Sequence, residues 1–234
     1  MKDFPRTLIV IPAYNEEESL PYVIDSIRAY APWADIAVVN DGSRDATPDI
    51  ARSKGVILLN LPYNLGIGGA VQTGYKLAAR MGYQVAVQVD GDGQHPASEI
   101  EKLVAALLNT DANMVIGSRH IDKSDYDTPF LRLVGIRILS TIVSLLANQR
   151  VTDTTSGFRA IDRGALCFLA RMYPRDYPEP EAVILLRRQG YRIAEVPVSM
   201  KQRMGGVSSI SQLKGAYYMI KVLLATIVDV FKDR

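Results

Sequence analysis

Residues 84–96 read QVAVQVDGDGQHP, in which a valine-rich apolar stretch ends in two aspartates separated by one glycine. The valines predict a buried strand over 84–89. Asp90 and Asp92 follow this strand directly, so both carboxylates can turn toward one hard cation. Mg²⁺ and Mn²⁺ favour such oxygen ligands and keep other coordination positions open. Because Asp-Gly is also a turn signal, a plain turn is the alternative interpretation, but the position at a strand end favours the metal site.

Around this stretch, the first half of the chain alternates between strand and helix patterns. Apolar, β-branched runs predict strands at 7–11, 36–39, 56–61, 84–89 and 114–116. Amphipathic spacing predicts helices at 17–30, 45–53, 69–81 and 97–108. This order indicates an α/β fold with a mostly parallel sheet. Ligands of such sheets bind beyond the carboxyl ends of the strands, where the polar clusters 12–16, 41–43 and 90–95 lie.

The second half of the chain is less regular. Its pattern predicts helices at 130–148, 163–172, 182–189 and 212–231, and strands at 156–161 and 191–196. No repeat, low-complexity tract or linker interrupts the sequence, so we predict a single domain over 1–234.

Composition excludes several classes of protein. With 48% hydrophobic and 22% charged residues, the 234-residue chain is globular rather than disordered. Cys167 is the single cysteine, which excludes an intrachain disulfide and indicates a reducing compartment. We find no signal-peptide pattern and no uncharged apolar run of about 18 residues, so we predict no membrane-spanning helix. With two histidines and no G-x-S-x-G motif, nucleophilic catalysis is disfavoured.

Charge is distributed unevenly along the chain. Residues 1–118 carry 9 Lys and Arg against 14 Asp and Glu, whereas residues 119–234 carry 18 against 11. This asymmetry indicates either a metal site beside a phosphate or membrane surface, or ordinary solvated charge. The basic residues are dispersed without a nucleic-acid-binding signature, so we expect no nucleic-acid partner.

The other strand-end clusters each allow two interpretations. Asp41 could accept hydrogen bonds from a base or a ribose hydroxyl, or could belong to a helix-entry turn. Tyr14 could stack on a base and Glu16 could bind ribose, whereas Asn15 could simply cap the next helix. The glycine-rich residues 64–70 offer either a helix N-terminus to an anion or tight packing, and they do not form a P-loop. His95 is expected to cap a helix or orient a ligand rather than bind a metal directly.

Six short motifs occur in an order that resembles the inverting family 2 glycosyltransferases, specifically the dolichyl-phosphate mannose synthase-like branch. They are residues 12–16 (PAYNE), 41–43 (DGS), 64–66 (NLG), 90–96 (DGDGQHP), 117–119 (GSR) and 156–159 (SGFR). The resemblance runs from about residue 8 to about residue 209. It implies a GT-A fold, with a Rossmann-like sheet flanked by helices, and transfer of a sugar from a GDP- or UDP-sugar to a polyprenyl phosphate.

The resemblance implies the following site residues. The residues that would bind the nucleotide-sugar are Pro12, Ala13, Tyr14, Glu16, Val39, Asp41, Asn64, Asp90, Gly91, Asp92 and Arg203. Asp90, Asp92 and Gln94 would bind the ion, Mg²⁺ or Mn²⁺. Residues 1–118 would then bind the nucleotide-sugar, 119–211 would face the acceptor, and 212–234 would form an interfacial or oligomerisation helix.

The chemistry of the implied reaction selects the remaining residues. A polyprenyl phosphate is already an anionic nucleophile, so the reaction needs no strong base. Its difficult part is the departure of the nucleoside diphosphate, which a divalent ion stabilises. We therefore expect Asp90, Asp92 and Arg119 to be catalytic. Arginine forks suit the acceptor phosphate, for which Arg119, Arg132 and Arg137 are the candidates, although a solvated face is the alternative for the last two.

One departure from the branch leaves alternative functions open. Where relatives have a lysine, this chain has PEPE at 178–181. Transfer to a hydroxyl of a cell-envelope glycan would need a carboxylate base, and Glu179 or Glu181 could provide it. A non-catalytic nucleotide-sugar-binding subunit would be expected to lack the aspartate pair, which is intact here.

The lipid tail of a polyprenyl acceptor requires that the protein reach a bilayer. The predicted helix 212–231 combines an apolar body with tyrosines and lysines, which suits a membrane interface. We expect a cytoplasmic protein bound peripherally at the inner face of the cell membrane, with a small membrane-protein partner as a further candidate. The alternative is that helices 130–148 and 212–231 pack on the sheet or form a homo-oligomer interface.

Overall fold

The structure is a computed structural model that describes residues 4–121, 130–175 and 177–200. Arg203 and the predicted helix 212–231 lie outside the described residues, as does the side chain of Arg132. The predictions made for them therefore stay predictions.

The described residues form one sheet with helices on both of its faces. The strands are β1 (Thr7–Ala13), β2 (Asp35–Asn40), β3 (Ile57–Asn60), β4 (Val85–Gln88), β5 (Met114–Ser118), β6 (Arg159–Asp162) and β7 (Ile193–Pro197). The helices are α1 (Leu20–Tyr30), α2 (Thr47–Ser53), α3 (Ile67–Arg80), α4 (Ile100–Asn109), α5 (Phe130–Leu146), α6 (Arg163–Met172) and α7 (Pro178–Arg188). A 3₁₀ turn at Ala97–Glu99 leads into α4.

The strand order is β3-β2-β1-β4-β6-β5-β7. All neighbouring pairs are parallel except those of β6, which runs antiparallel to both β4 and β5. The α/β fold with a mostly parallel sheet is therefore confirmed. Because β6 lies between β4 and β5, residues 156–159 lie at the end of β4, close to Asp90.

Two apolar cores lie on opposite faces of the sheet. Successive residues of β1 alternate between them, with Leu8 and Val10 in one and Ile9 and Ile11 in the other. The first core includes α3, α5, α6 and α7, and the second includes α1 and α4. Burial on both faces explains why the strands read as nearly continuous apolar runs.

Helices α1 and α7 begin three and four residues away from their predicted starts. Helix α1 begins at Leu20 rather than at 17, because the backbone N–H groups of residues 15–17 bond to side chains of residues 43–47. Helix α7 begins at Pro178 rather than at 182. Proline is well suited to the first helical turn, where its missing N–H has no partner to lose, so the PEPE stretch starts this helix.

Helix α5 buries one face in the first apolar core and leaves another exposed. Leu139 and Val143 are fully buried, whereas Ile138 and Leu145 are exposed. Across the described part of the chain, no helix combines the length and apolar character needed to cross a bilayer.

Candidate functional site

The loop after β4 holds Asp90 and Asp92 in place through backbone hydrogen bonds. The Asp90 N–H donates to His95 Nδ1 at 3.0 Å, and the Gln94 N–H donates to Asp92 Oδ1 at 3.0 Å. His95 is buried and stacks on Phe158, with ring centroids 5.0 Å apart. Because Nδ1 accepts a hydrogen bond, the proton of the neutral ring lies on Nε2, which is 3.7 Å from Asp90 Oδ2. His95 thus shapes the loop that carries Asp90.

Gly157 leaves the space that the Asp90 carboxylate occupies. A Cβ at Gly157 would lie 3.1 Å from both Asp90 carboxylate oxygens and 2.9 Å from Gln88 Nε2. Gln88 Nε2 in turn donates to Asp90 Oδ1 at 3.4 Å. The loop before β6 therefore forms one wall of the aspartate site, and any larger residue at 157 would press on the carboxylate.

The donor set at this loop suits a hard divalent cation. The side chain of Asp90 is 35% exposed, and Asp92 is 7% exposed. Among the described residues, no group of three or more His, Cys, Asp or Glu side chains could hold a metal ion. An ion on Asp90 and Asp92 would therefore take its remaining oxygen ligands from Gln94, water or a bound diphosphate, as Mg²⁺ commonly does.

The loop after β1 is bonded to the loop after β2. The Asn15 N–H donates to Ser43 Oγ at 2.9 Å, and the Arg44 N–H donates back to Asn15 Oδ1 at 2.9 Å. The Glu16 N–H donates to Thr47 Oγ1 at 2.9 Å. The alternative in which Asn15 caps the first helix is therefore wrong, since its side-chain oxygen binds the neighbouring loop.

Ser19 connects the same β1 loop to the aspartate loop. Its hydroxyl lies 2.8 Å from Glu16 Oε2 and 2.7 Å from the Gly91 carbonyl oxygen. A Cβ at Gly91 would lie 3.3 Å from the Pro12 carbonyl oxygen, 3.4 Å from Glu16 Cγ and 3.6 Å from Ala13 Cβ. The structure thus brings three other predicted nucleotide-binding positions, Pro12, Ala13 and Glu16, together around Gly91.

Asp41 orders the glycine-rich loop before α3. Its carboxylate oxygens accept hydrogen bonds from the Leu65 N–H at 2.7 Å and the Gly66 N–H at 2.9 Å. Burial raises the pKa of Asp41, although both of these N–H groups act in the opposite direction. Gly42 has φ +72°, and a Cβ there would lie 2.8 Å from the Asn64 nitrogen, so only glycine allows this close approach. Asp41 and Asn64 thus occupy one corner of the site.

Two other predicted nucleotide-binding residues differ in exposure. Tyr14 is 43% exposed at the end of β1, where a base could stack on it. Val39 is fully buried in β2 and is paired in register with Pro12, so its side chain belongs to the core.

Arg119 is held by Asp153. Arg119 Nε lies 2.7 Å from Asp153 Oδ2, Nη2 lies 2.7 Å from Oδ1, and the Arg119 N–H also donates to Oδ2 at 3.1 Å. Burial acts to raise the pKa of Asp153, but the Arg119 hydrogen bonds and charge prevail and lower it. Asp153 was not predicted from the sequence; its position three residues before the SGFR motif was the available signal.

Arg119 and Arg137 share an electrostatic neighbourhood. Burial lowers the pKa of His120, with Asp153 and Glu195 opposing this shift and Arg119 and Arg137 adding to it. Arg119 follows β5 and Arg137 belongs to α5, so charges from two elements act on His120. Arg137 is exposed, so a phosphate could reach it from solvent.

Arg159 was also missed by sequence reasoning, and it acts inside the protein. It is 1% exposed and donates to the carbonyl oxygens of Ser156, Glu179 and Thr154 at 2.7, 2.8 and 3.0 Å. It thereby fixes the start of α7 against the loop that carries Gly157. Burial raises the pKa of Glu179, which the charge of Arg159 opposes and that of Asp90 reinforces. Glu179 is therefore an electrostatic neighbour of the aspartate site.

Comparison with known proteins identifies the class to which this fold and site correspond. The model of the glycosyl transferase family 2 matches residues 8–168, and the chain belongs to this family. It is 32% identical to UDP-N-acetylglucosamine–dolichyl-phosphate N-acetylglucosaminyltransferase of Methanococcus voltae, over 81% of this chain and 83% of the relative. It is 31% identical to polyprenol monophosphomannose synthase of Mycolicibacterium smegmatis, over 93% of this chain and 85% of the relative.

The same fold occurs in a solved enzyme. The structure of glucosyl-3-phosphoglycerate synthase from Mycobacterium tuberculosis, in complex with Mn²⁺, UDP and glucosyl-3-phosphoglycerate, superposes with a TM-score of 0.67. The match covers 97% of this chain and 80% of that chain at 20% identity. The expected GT-A fold is confirmed.

Proposed function

We propose that this protein transfers a sugar from a GDP- or UDP-sugar to a polyprenyl phosphate, with inversion at the anomeric carbon and with Mg²⁺ or Mn²⁺. The observation that carries the proposal is the paired carboxylates Asp90 and Asp92 at the end of β4, beside the Asp41 corner. The polyprenyl-phosphate acceptor is supported by the relatives from Methanococcus and Mycolicibacterium. The ion is supported by the donor set and by the Mn²⁺ in the related fold.

The donor half of the site lies between the loops after β1, β2 and β4. Asp41 and Asn64 bound the nucleoside pocket on one side, Tyr14 offers a stacking face, and Glu16 reaches the ribose. Asp90, Asp92 and Gln94 would hold the ion, which would neutralise charge on the departing diphosphate. His95 accepts a hydrogen bond from the Asp90 N–H, and Gly157 leaves space for the Asp90 carboxylate, so both support the position of Asp90.

The acceptor half lies beyond β5. Arg119 and Arg137 bind the lipid phosphate there, and Arg132, whose side chain is not described, stays a further predicted acceptor contact. Arg203 lies outside the described residues and stays a predicted contact to the donor phosphates. A phosphate oxygen attacks the anomeric carbon from the face opposite the diphosphate. The new C–O bond forms as the bond to the diphosphate breaks, which inverts the configuration. The acceptor oxygen carries no proton, so no base has to remove one.

Product analysis tests this function. The protein is incubated with Mn²⁺ or Mg²⁺, a short-chain polyprenyl phosphate and a panel of GDP- and UDP-sugars. The expected product is a sugar linked to lipid phosphate with inverted anomeric configuration, read by mass spectrometry and NMR. Transfer to glycan hydroxyls alone would instead support the second function considered next.

The second candidate function is transfer to a hydroxyl of a cell-envelope glycan. The electrostatic proximity of Glu179 to Asp90, together with its raised pKa, favours this alternative because such a reaction needs a carboxylate base. In that case Glu179→Gln abolishes transfer to the glycan. If the acceptor is a lipid phosphate, the same variant still transfers the sugar, because that reaction needs no base. Glu181→Gln is measured beside it, because Glu181 is the other candidate base and lies in the same helical turn.

The proposed acceptor places the protein at the inner face of the cell membrane. Ile138 and Leu145 of α5 are exposed on the same helix as Arg137, so an apolar surface lies close to the proposed phosphate site. Flotation with anionic liposomes tests this placement, by comparing the full chain with a chain ending at Ser211. A homo-oligomer or a small membrane-protein partner stays a prediction, and size measurement in detergent tests both.

A further inference from the structure

Glu195 of β7 binds the segment that leads from α5 to β6. Its Oε2 accepts a hydrogen bond from the Thr152 N–H at 2.8 Å. Its Oε1 accepts from Thr152 Oγ1 at 3.0 Å and from the Asp153 N–H at 2.9 Å. One carboxylate thus fixes both the backbone and a side chain of this segment.

The same segment determines where Arg119 lies. Asp153 is fully buried and binds Arg119 through both carboxylate oxygens. The Ser118 and Thr152 hydroxyls are 2.8 Å apart, which adds a second link to the end of β5. A shift of Thr152 and Asp153 would therefore move or release the Arg119 guanidinium.

Helix α5 is bonded to this segment from its other side. Ser140 Oγ donates to the Thr152 carbonyl oxygen at 3.0 Å, and the Val151 N–H donates to Ser144 Oγ at 3.0 Å. Arg137 precedes Ser140 by about one helical turn. Residues 151–153 consequently join the element that carries Arg137 to the element that carries Arg119.

We propose that Glu195 is a positioning residue for the acceptor phosphate, because it fixes residues 151–153 and thereby sets the separation of Arg119 and Arg137. The inference rests on the proposed function, in which these two arginines bind the lipid phosphate. Two guanidinium groups hold one phosphate well only at a defined separation. In the described part of the chain, the hydrogen bonds of the Glu195 carboxylate go to residues 152 and 153 and not to the nucleotide loops after β1 and β2, so loss of this carboxylate should affect the acceptor and spare the donor.

Kinetics of Glu195→Ala and Glu195→Gln test this role. We expect Glu195→Ala to raise the KM for a short-chain polyprenyl phosphate about tenfold or more, with the donor KM nearly unchanged. Glu195→Gln keeps one acceptor oxygen and should show a smaller rise. If Glu195→Ala does not fold, Glu195→Gln carries the same comparison. Asp111→Asn is the control, because Asp111 pairs with Arg192 on the surface just before β7 and should leave both KM values unchanged.

A double-mutant cycle identifies the residue through which Glu195 acts. If it acts through Arg119, Glu195→Ala adds little in an Arg119→Ala background. Equal losses for donor and acceptor, or additive effects in the cycle, would overturn the inference. If Arg119→Ala raises the acceptor KM while Glu195→Ala does not, only the positioning role fails. If the wild-type protein transfers no sugar to lipid phosphate, the proposed function fails and the inference fails with it.

Discussion

Gly157 lies directly against the Asp90 carboxylate, so that a Cβ at position 157 would be 3.1 Å from each of its oxygens. These two residues are far apart in the sequence and meet because β6 pairs with β4. The contact gives the SGFR motif a physical role, since its glycine has no side chain and leaves room for the Asp90 carboxylate. A neutral substitution as small as alanine at position 157 is therefore expected to affect the proposed ion site.

Gly157→Ala should therefore impair ion binding more than it impairs folding. The added methyl group displaces the Asp90 carboxylate, and we expect kcat/KM to fall by about tenfold or more with a rise in the Mn²⁺ concentration needed for half-maximal activity. Steady-state assays over a Mn²⁺ titration measure both effects. Gly164→Ala is the matched control, because its Cβ would make only ordinary contacts of 3.4 Å or more. An unchanged Mn²⁺ requirement in Gly157→Ala would contradict the assignment of Asp90 to the ion.

Asp92→Ala should nearly abolish turnover. If the ion supplies about 3 kcal/mol of stabilisation to the departing diphosphate, its loss lowers kcat by about 10²-fold or more. EDTA should lower the turnover of the wild-type protein to a similar level. Added Mn²⁺ should restore the turnover of the wild type but not that of Asp92→Ala. Asp49→Asn removes a carboxylate from an exposed surface pair with Arg52 and provides the control. Full turnover of Asp92→Ala in EDTA would exclude a metal role for this residue.

Arg119→Lys should weaken the acceptor site although it keeps the charge. Lysine cannot reproduce the two parallel bonds to Asp153, so its ammonium group is no longer oriented by that carboxylate. We expect the KM for polyprenyl phosphate to rise about tenfold, with a small change in the KM for the nucleotide-sugar. Arg192→Lys, in an exposed pair with Asp111, tests the effect of the substitution itself. Wild-type kinetics for Arg119→Lys would indicate that the pair with Asp153 is only structural. The same substitution at Arg203 tests the phosphate contact predicted for it.

The Arg119–Asp153 pair should make part of the stability depend on pH. The pKa of Asp153 in the folded protein lies below the unfolded value of 3.8. Its ionised form is thus favoured by folding, so the contribution is present above about pH 4 and is lost as the pH falls through the folded pKa. Asp153→Asn should cost about 3 kcal/mol at pH 7, because it leaves a partly buried guanidinium without its partner.

Urea unfolding at pH 7, 5 and 3.5 measures this contribution as the difference between the wild type and Asp153→Asn. The difference should be constant between the two higher pH values and should shrink at the lowest. A difference that grows on acidification would mean that the pKa of Asp153 is raised, contrary to the direction given above.

Local patterns in the sequence were enough to predict much of the first half. The valine run before Asp90 predicted β4 to within one residue at each end, since a short β-branched apolar run and the turn residues that follow it are local features. The strand ends then placed Asp41, Glu16 and Asp90 at one edge of the sheet. The start of α7 at Pro178 could also have been predicted from the sequence, because two prolines and two glutamates suit a first helical turn.

The sequence by itself determined the alternation of strands and helices, and hence which polar residues follow strand ends. Only the tertiary structure decided that β6 runs antiparallel between β4 and β5, that Gly157 meets Asp90, and that Asp153 holds Arg119. The physical reason is that periodicity and turn signals depend on neighbours in the chain. Strand order and buried ion pairs depend instead on which distant surfaces can cover each other and satisfy their hydrogen bonds.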